Sequence, residues 1–384
     1  MRPPMSWNAL RDCSARDTDA MRSERIVVGM SGGVDSSVAA ALLVADGYDV
    51  VGVTMRVWGR QASPEPVSRF GSCCGSDAVD DARDVARALG IPYYLLSMAD
   101  EFDRAVIGPF TESYRRGRTP VPCVACNTNL KFGSLLGRAR AWEAGAVATG
   151  HYARVARDPD TGRWILRRAR DQRKDQSDFL WPLTQSQLAA ARFPVGDLTK
   201  DEVREHARRL GLRTADKRES QEICFVPGGD YREYLRSRDP GAFRPGPIVD
   251  REGRRLGSHA GVAGFTIGQR RGLGLAGNRA LYVVDLDADS GRVTVGEARD
   301  LERDRLEVSG ANFIAGATPV GPLRVTARIR HNQEPAPATV RSLGADRAQV
   351  VFDVPQRAIT PGQSCVWYRE DEVVGGGVIE RAAP

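Results

Sequence analysis

The sequence predicts an α/β chain in three parts: an N-terminal doubly wound parallel-sheet domain, a small central domain and a C-terminal antiparallel β-barrel. Three observations carry this expectation. Short apolar runs alternate with helical periodicity through the first part of the chain. Glycine and proline become frequent from about residue 228. From residue 292 onward short period-2 runs dominate.

Taken in order, Ile26-Val27-Val28 reads as a buried strand, followed at once by Gly29-Met30-Ser31-Gly32-Gly33-Val34-Asp35-Ser36-Ser37. Val34, Val38, Ala41, Leu42 and Ala45 then fall on one helix face. Asp49–Met55 reads as a second strand, and Ala78, Ala82, Val85, Ala86 and Leu89 mark a second helix that Gly90 and Pro92 end. Tyr93–Leu96 is a third strand, Leu130 to Trp142 a further helix, and Ala146–Thr149 a strand ending in Gly150-His151. Strands alternating with helices imply parallel β-α-β units with right-handed crossovers. Gly59–Gly75 reads as a mobile loop. The period-2 runs Arg292–Val295, Leu323–Ile329, Gln349–Phe352 and Ser364–Tyr368 supply the barrel.

Composition excludes several classes. The chain has 384 residues, enough for two or three domains with cores of their own, and is 41% apolar and 27% charged. No run approaches the ~18 consecutive apolar residues of a membrane helix, so no membrane partner is expected. Basic residues number 55 against 49 acidic, a net charge of +6, too small an excess to identify nucleic acid by itself. Only Lys131, Lys174, Lys200 and Lys217 are lysines, and arginine fills every other basic position. Seven cysteines (Cys13, Cys73, Cys74, Cys123, Cys126, Cys224 and Cys365) in a long chain argue against a secreted disulfide framework and for a reducing, cytoplasmic setting. Residues 1–24 mix arginine with aspartate, which is unlike a transit peptide. They read as a disordered extension, or as an over-long start with Met5 or Met21 in place of Met1.

A strand feeding a Gly/Ser-rich turn that opens a helix makes an anion cradle, because backbone N–H groups and the positive helix end face one spot. The turn lacks the Gly-Lys-Ser/Thr of a Walker loop and the spacing of a dinucleotide fingerprint. Asp35 within such a cradle repels phosphate unless a divalent cation intervenes, which argues for a magnesium-nucleotide. Ser31-Gly32-Gly33-Val34-Asp35-Ser36 resembles the SGG-x-D-S signature of the PP-loop ATP pyrophosphatases, which have the adenine nucleotide α hydrolase-like fold. That resemblance implies adenylation of a carbonyl or carboxyl oxygen.

Pro122-Cys123-Val124-Ala125-Cys126-Asn127 places a CxxC ahead of a helix, with Lys131 five residues after Cys126, a setting that favours a thiolate. Half of a zinc site is the alternative, but no histidine lies near in sequence to complete it. Ser220-Gln221-Glu222-Ile223-Cys224-Phe225 offers a second polar approach to a thiol. Together with Cys126–Phe132, Gly150-His151-Tyr152, Lys174-Asp175-Gln176-Ser177 and Gly264–Gly274, these segments resemble the tRNA-specific 2-thiouridylases from about Arg25 to Ile379, in order.

The resemblance implies ATP-dependent 2-thiolation of the tRNA wobble uridine. Cys224 would carry a persulfide, and Cys126 would be the catalytic nucleophile that forms a transient disulfide with it. Gly29, Met30, Ser31, Gly32, Gly33, Val34, Asp35 and Ser36 would bind ATP, with Met55 and Gly150 completing the pocket. His151, Lys174, Asp175 and Gln176 would touch tRNA, as would Arg330, His331 and Gln363 from the barrel. The partners implied are the anticodon arm and a cysteine desulfurase or sulfur-relay protein. The layout expected is a catalytic domain over 25–227, a central domain over 228–298 and a tRNA-binding barrel over 299–384. Many family members have Asn-Pro-Asp two residues before the catalytic cysteine, where this chain has Val121-Pro122-Cys123. The third thiol raises an alternative in which Cys123, Cys126 and Cys224 hold an iron–sulfur cluster.

Overall fold

The computed structural model describes residues 24–57, 76–217, 223–275, 279–344 and 346–383. The extension over residues 1–24 (all but its last residue), the Gly59–Gly75 loop, Cys13, Cys73, Cys74 and Ser220–Glu222 therefore lie outside the described residues. The chain divides into two compact units. One holds Met1–Asp103, Cys126–Ser177 and Leu183–Gly228, and the other Arg104–Ala125, Asp178–Pro182 and Gly229–Pro384.

The first unit is built on a parallel sheet of β1 (Arg25–Gly29), β2 (Asp49–Arg56), β3 (Tyr93–Ser97), β4 (Ala144–Thr149) and β7 (Ala191–Arg192), in the order β3-β2-β1-β4-β7. Ile26, Val27 and Val28 are all fully buried, as a central parallel strand covered on both faces requires. Helix α1 (Val34–Ala45) buries Val34, Val38 and the run Ala39-Ala40-Ala41, whose small side chains let it sit close against its neighbours. Helix α2 (Ser76–Leu89) adds Ala82, Val85, Ala86 and Leu89 to the same core. The chain moves outward from β1 through β2 to β3, then returns to the other side of β1 as β4. The β1/β4 boundary is thus the topological switch point, where ligands of open α/β sheets bind beyond the strand ends. Gly29 is level with both Val53 and Thr149, so the loops leaving β1 and β4 open side by side. A hairpin of β5 (Ala153–Arg157) and β6 (Trp164–Arg168) follows β4 in the chain.

The second unit contains two sheets. β8 (Gly246–Val249), β9 (Arg255–His259), β10 (Tyr282–Asp287) and β11 (Arg292–Gly296) form a mixed sheet in the order β10-β11-β8-β9 around Ile248, Val283, Val293 and Val295. The Arg292–Val295 run, expected among the barrel strands, belongs here, paired with β10 and β8. Period-2 alternation reports a two-faced strand but not its partner. Six antiparallel strands make the C-terminal sheet: β12 (Glu302–Phe313), β13 (Leu323–Arg328), β14 (Ala336–Ser342), β15 (Ala348–Arg357), β16 (Ser364–Arg369) and β17 (Glu372–Ala383). Their order is β12-β15-β14-β13-β16-β17, and a β12–β17 pairing closes the ring around Leu306, Val350, Trp367 and Ile379. Among the described residues no helix is long and apolar enough to cross a membrane.

Candidate functional site

The loop after β1 is held from inside. The Ser31 backbone N–H donates to Ser36 Oγ at 3.2 Å, and the two hydroxyls are 3.2 Å apart. Ser36 and Ser37 hydroxyls donate to the Gly33 carbonyl at 3.2 and 2.8 Å. Gly32 has φ +67°, and a Cβ there would stand 2.1 Å from the Ala78 carbonyl oxygen of α2. Only glycine satisfies both the backbone angle and the contact. Gly150 packs directly against the loop: a Cβ there would lie 2.5 Å from the Ser36 nitrogen and 2.9 Å from Asp35 Cβ. Met30 also turns inward. Its side chain is 2% exposed in the core, its N–H donates to the Val53 carbonyl, and its own carbonyl accepts from Thr54 Oγ1. Val34 is a core residue as well, and Met55 lies on β2 next to its last residue, Arg56.

Three of the four lysines surround this loop and the strand end beside it. Lys200 Nζ lies 2.7 and 2.9 Å from the two carboxylate oxygens of Asp35. Tyr152 adds a hydroxyl donated to Asp35 Oδ1 at 2.8 Å. Lys217 Nζ donates to the Gly32 carbonyl at 2.9 Å and pairs with Asp81 of α2 at 2.6 Å, tying loop to helix. Lys131 Nζ lies 3.4 Å from His151 Nε2. An ammonium has only protons to offer, so His151 accepts at Nε2, and its Nδ1–H is left to donate to Thr149 Oγ1 at 2.7 Å. Burial first and the Lys131 charge second hold the imidazole well below its ordinary pKa, so it is neutral. Sequence spacing gives little sign that Lys200, Lys217 and Tyr152 gather at this loop. The available signal was a lysine at the first position of a helix, where the dipole disfavours it.

Magnesium prefers oxygen ligands, often one or two carboxylates together with substrate phosphates. Asp35 supplies one such carboxylate beside a phosphate cradle, so the donor set fits an ion that arrives with a nucleotide. Among the described residues no group of three His, Cys, Asp or Glu side chains is gathered to hold a metal on its own.

Cys126 opens a π-helical stretch, Cys126–Leu135. Residues five apart stand about 140° apart around an α-helix but lie toward one side when bonding is i→i+5, which brings Lys131 to the Cys126 side. The stretch is anchored by buried Leu130, Phe132 and Leu135, and the Gln187 side-chain amide donates to the Thr128 and Phe132 carbonyls at 3.3 and 2.9 Å. Phe225, next to Cys224, meets Phe102 edge to face at 5.5 Å. Phe102 belongs to the short helix Ala99–Phe102, which also contacts the Cys126–Leu135 stretch. Both thiols are partly exposed and belong to the same unit. Cys123 is exposed in the second unit, and Cys365 is buried in the barrel core, where burial pushes its thiol up.

The residues expected at tRNA divide into braces and surface groups. Asp175 is 2% exposed and is consumed internally, accepting from the Ala169 N–H at 3.0 Å and from Ser177, with Arg168 at 3.3 Å. Gln176 exchanges hydrogen bonds with the Tyr152 backbone in both directions. Lys174 is half-buried in the turn between them, its N–H donated to the Asp171 carbonyl. In the second unit Arg330 donates to the Ala358 carbonyl at 3.0 Å, and its burial lowers its pKa. His331 Nδ1 is 2.9 Å from Asp178 Oδ2, its ring 4.6 Å from Phe179. Gln363 Nε2 donates to the Thr119 carbonyl at 2.8 Å. Arg270 and Arg271 are exposed on the glycine-flanked loop.

Three family models match consecutive stretches: a tRNA methyl transferase HUP domain over residues 24–228, a tRNA methyl transferase PRC-barrel domain over 233–297, and an aminomethyltransferase β-barrel domain over 303–379. The tRNA-specific 2-thiouridylase MnmA of Moorella thermoacetica is 53% identical over 93% of this chain and 99% of its own. Those of Carboxydothermus hydrogenoformans and Acidobacterium capsulatum are each 49% identical, over 94% and 92% of this chain and 99% and 98% of theirs. With a matched model over more than half of the chain and such identity end to end, the chain belongs to the tRNA-specific 2-thiouridylase family.

Proposed function

We propose that this chain catalyses ATP-dependent 2-thiolation of the wobble uridine of tRNA. ATP bound at Gly29–Ser36 adenylates uracil O2, releasing pyrophosphate and turning an unreactive C2 oxygen into a leaving group. Magnesium, bound with the nucleotide, supplies charge neutralisation beside Asp35. The loop glycines admit phosphate oxygens closely, and the start of α1 offers backbone N–H groups to them.

Sulfur then arrives as a persulfide on Cys224. Its terminal sulfur attacks C2, the C2–O bond breaks, and AMP leaves with the electron pair. The Cys126 thiolate attacks the Cys224 sulfur, forming a Cys126–Cys224 disulfide and breaking the bond to the transferred sulfur, which remains as the C2 thiocarbonyl. An external thiol restores both cysteines with two electrons. Lys131, fixed by neutral His151, supplies the positive charge that favours thiolate at Cys126. The observation that carries this reading is the placement of both thiols and the glycine-rich loop within one unit of a chain of this family. A desulfurase or relay protein loads Cys224, and the tRNA contacts fall to Lys174, His331, the exposed Arg270-Arg271 loop and neighbouring groups.

The test is mass analysis of wobble nucleosides after incubation with ATP, tRNA and a desulfurase. 2-Thiouridine is expected with the native chain and absent with Cys126→Ala or Cys224→Ala. An amide-forming PP-loop ligase, which needs no paired thiols, would keep its activity in Cys224→Ser.

A further inference from the structure

Lys200 breaks two rules at once. It is 7% exposed, and it occupies the first position of the Lys200–Arg209 helix, where a cation meets the positive end of the dipole. Its backbone cannot drift from that place. Thr199 caps the helix through a reciprocal box with Glu202, and the Lys200 N–H donates to buried Asp171 at 3.1 Å. Only the four-carbon stem can move, and it carries an ammonium already inside the glycine-rich loop at Asp35.

The choice of lysine is informative in a chain so rich in arginine. Where this chain pairs a buried carboxylate permanently, it uses a planar guanidinium, as with Arg168 and Asp175 or Arg328 and Asp178. A compact ammonium with three rotatable donors suits a charge that exchanges acceptors. Asp35 also has a second donor in place, the Tyr152 hydroxyl, so its carboxylate remains hydrogen-bonded if Lys200 turns away.

We infer that Lys200 is a phosphate ligand: its ammonium turns from the Asp35 carboxylate to the β- and γ-phosphate oxygens of bound ATP as Asp35 takes up the divalent cation. This rests on the nucleotide reading above and adds a binding residue that the SGG-x-D-S signature does not contain.

Calorimetry with three probes tests it: α,β-methylene ATP, inorganic pyrophosphate and AMP, each with magnesium. In Lys200→Met, α,β-methylene ATP and pyrophosphate should each weaken by about tenfold or more, and AMP should stay within about twofold. The double variant Asp35→Asn/Lys200→Met should remain as weak toward α,β-methylene ATP measured without magnesium. Recovery in that double variant would mean Lys200 merely balances Asp35, and an equal loss for AMP would mean the pocket itself has shifted. Either result overturns the inference. Should Lys200→Met not fold, Lys200→Gln, which can still hydrogen-bond Asp35, carries the same comparison. If the native chain binds none of the three probes, the nucleotide reading itself falls, a failure distinct from that of Lys200.

Discussion

The hydroxyl of Tyr152 donates to Asp35 Oδ1 at 2.8 Å, joining the residue after His151 to the first turn of α1, where the glycine-rich loop ends. The same tyrosine is 3% exposed, and its backbone is locked by Gln176. The loop is therefore positioned from the β4 side as well as from its own strand. Tyr152→Phe removes one hydrogen bond and no volume. Stability should fall by about 1 kcal/mol and ATP affinity by a few-fold, read by denaturant titration and by nucleotide binding.

Gly32 and Gly150 should tolerate no side chain. In Gly32→Ala a Cβ must occupy a left-handed backbone position and displace the Ala78 carbonyl, costing about 2 kcal/mol or more. Gly150→Ala drives a methyl into the Asp35–Ser36 backbone. Both variants should lose nucleotide binding, whereas Gly90→Ala, with nothing within 4 Å of its Cβ position, should keep it despite a strained φ of +69°.

Neutral, buried His151 makes stability depend on pH. The unfolded chain takes up a proton near pH 6.5, while the folded imidazole resists doing so because of burial and Lys131. Below that pH the unfolded state binds more protons, so stability should fall with acidification by about 1.4 kcal/mol per pH unit, and above it this contribution should be constant. Thermal unfolding between pH 5 and 7.5 should show this slope in the native chain. His151→Gln should reduce it, the remainder coming from His206 and His259, whose pKa values burial also lowers.

Three of the four described cysteines should separate cleanly. Cys224→Ala should abolish thiolation yet retain tRNA-dependent pyrophosphate release, since adenylation precedes sulfur transfer. Cys123→Ala should keep thiolation. Cys365→Ser should thiolate normally but lose about 1–3 kcal/mol of stability, because a hydroxyl replaces a thiol that is fully buried.

Asp178 is 5% exposed and faces His331 at 2.9 Å and Arg328 at 3.7 Å. Asp178→Asn leaves a buried guanidinium with its carboxylate partner gone. It should cost about 3–5 kcal/mol in denaturant unfolding. His331→Ala, at a half-exposed position, should cost far less.

Much of the first unit is legible because β1 and most of β2 are buried on both faces and α2 carries one apolar stripe. Ile26–Val28 became Arg25–Gly29, and Tyr93–Leu96 became Tyr93–Ser97, each longer by a residue or two at the ends. The apolar spacing from Leu130 to Trp142 predicts one helix, but its first part is π-helical and regular α-helix spans only Leu136–Ala141. Apolar spacing cannot announce a change of pitch. The glycine-rich loop was visible because its chemistry is local. Lys200 and Lys217 reach it from far along the chain, 165 and 185 residues from Asp35 and Gly32, and only the packing of the Lys200–Arg209 helix beside α1 brings the first of them there. Asp175 and Gln176 enter through the family resemblance as residues that touch tRNA; their hydrogen bonds to Ala169, Ser177 and Tyr152 depend on packing that no sequence pattern announces.

The pairing of β12 with β17 has a last consequence. Along Arg305–Phe313 and Gly375–Ala383 the two strands turn their facing backbone donors and acceptors to each other, so the seam itself leaves no edge on which a peptide could be laid as a further strand. A molecule meeting that seam finds side chains there and no open strand edge.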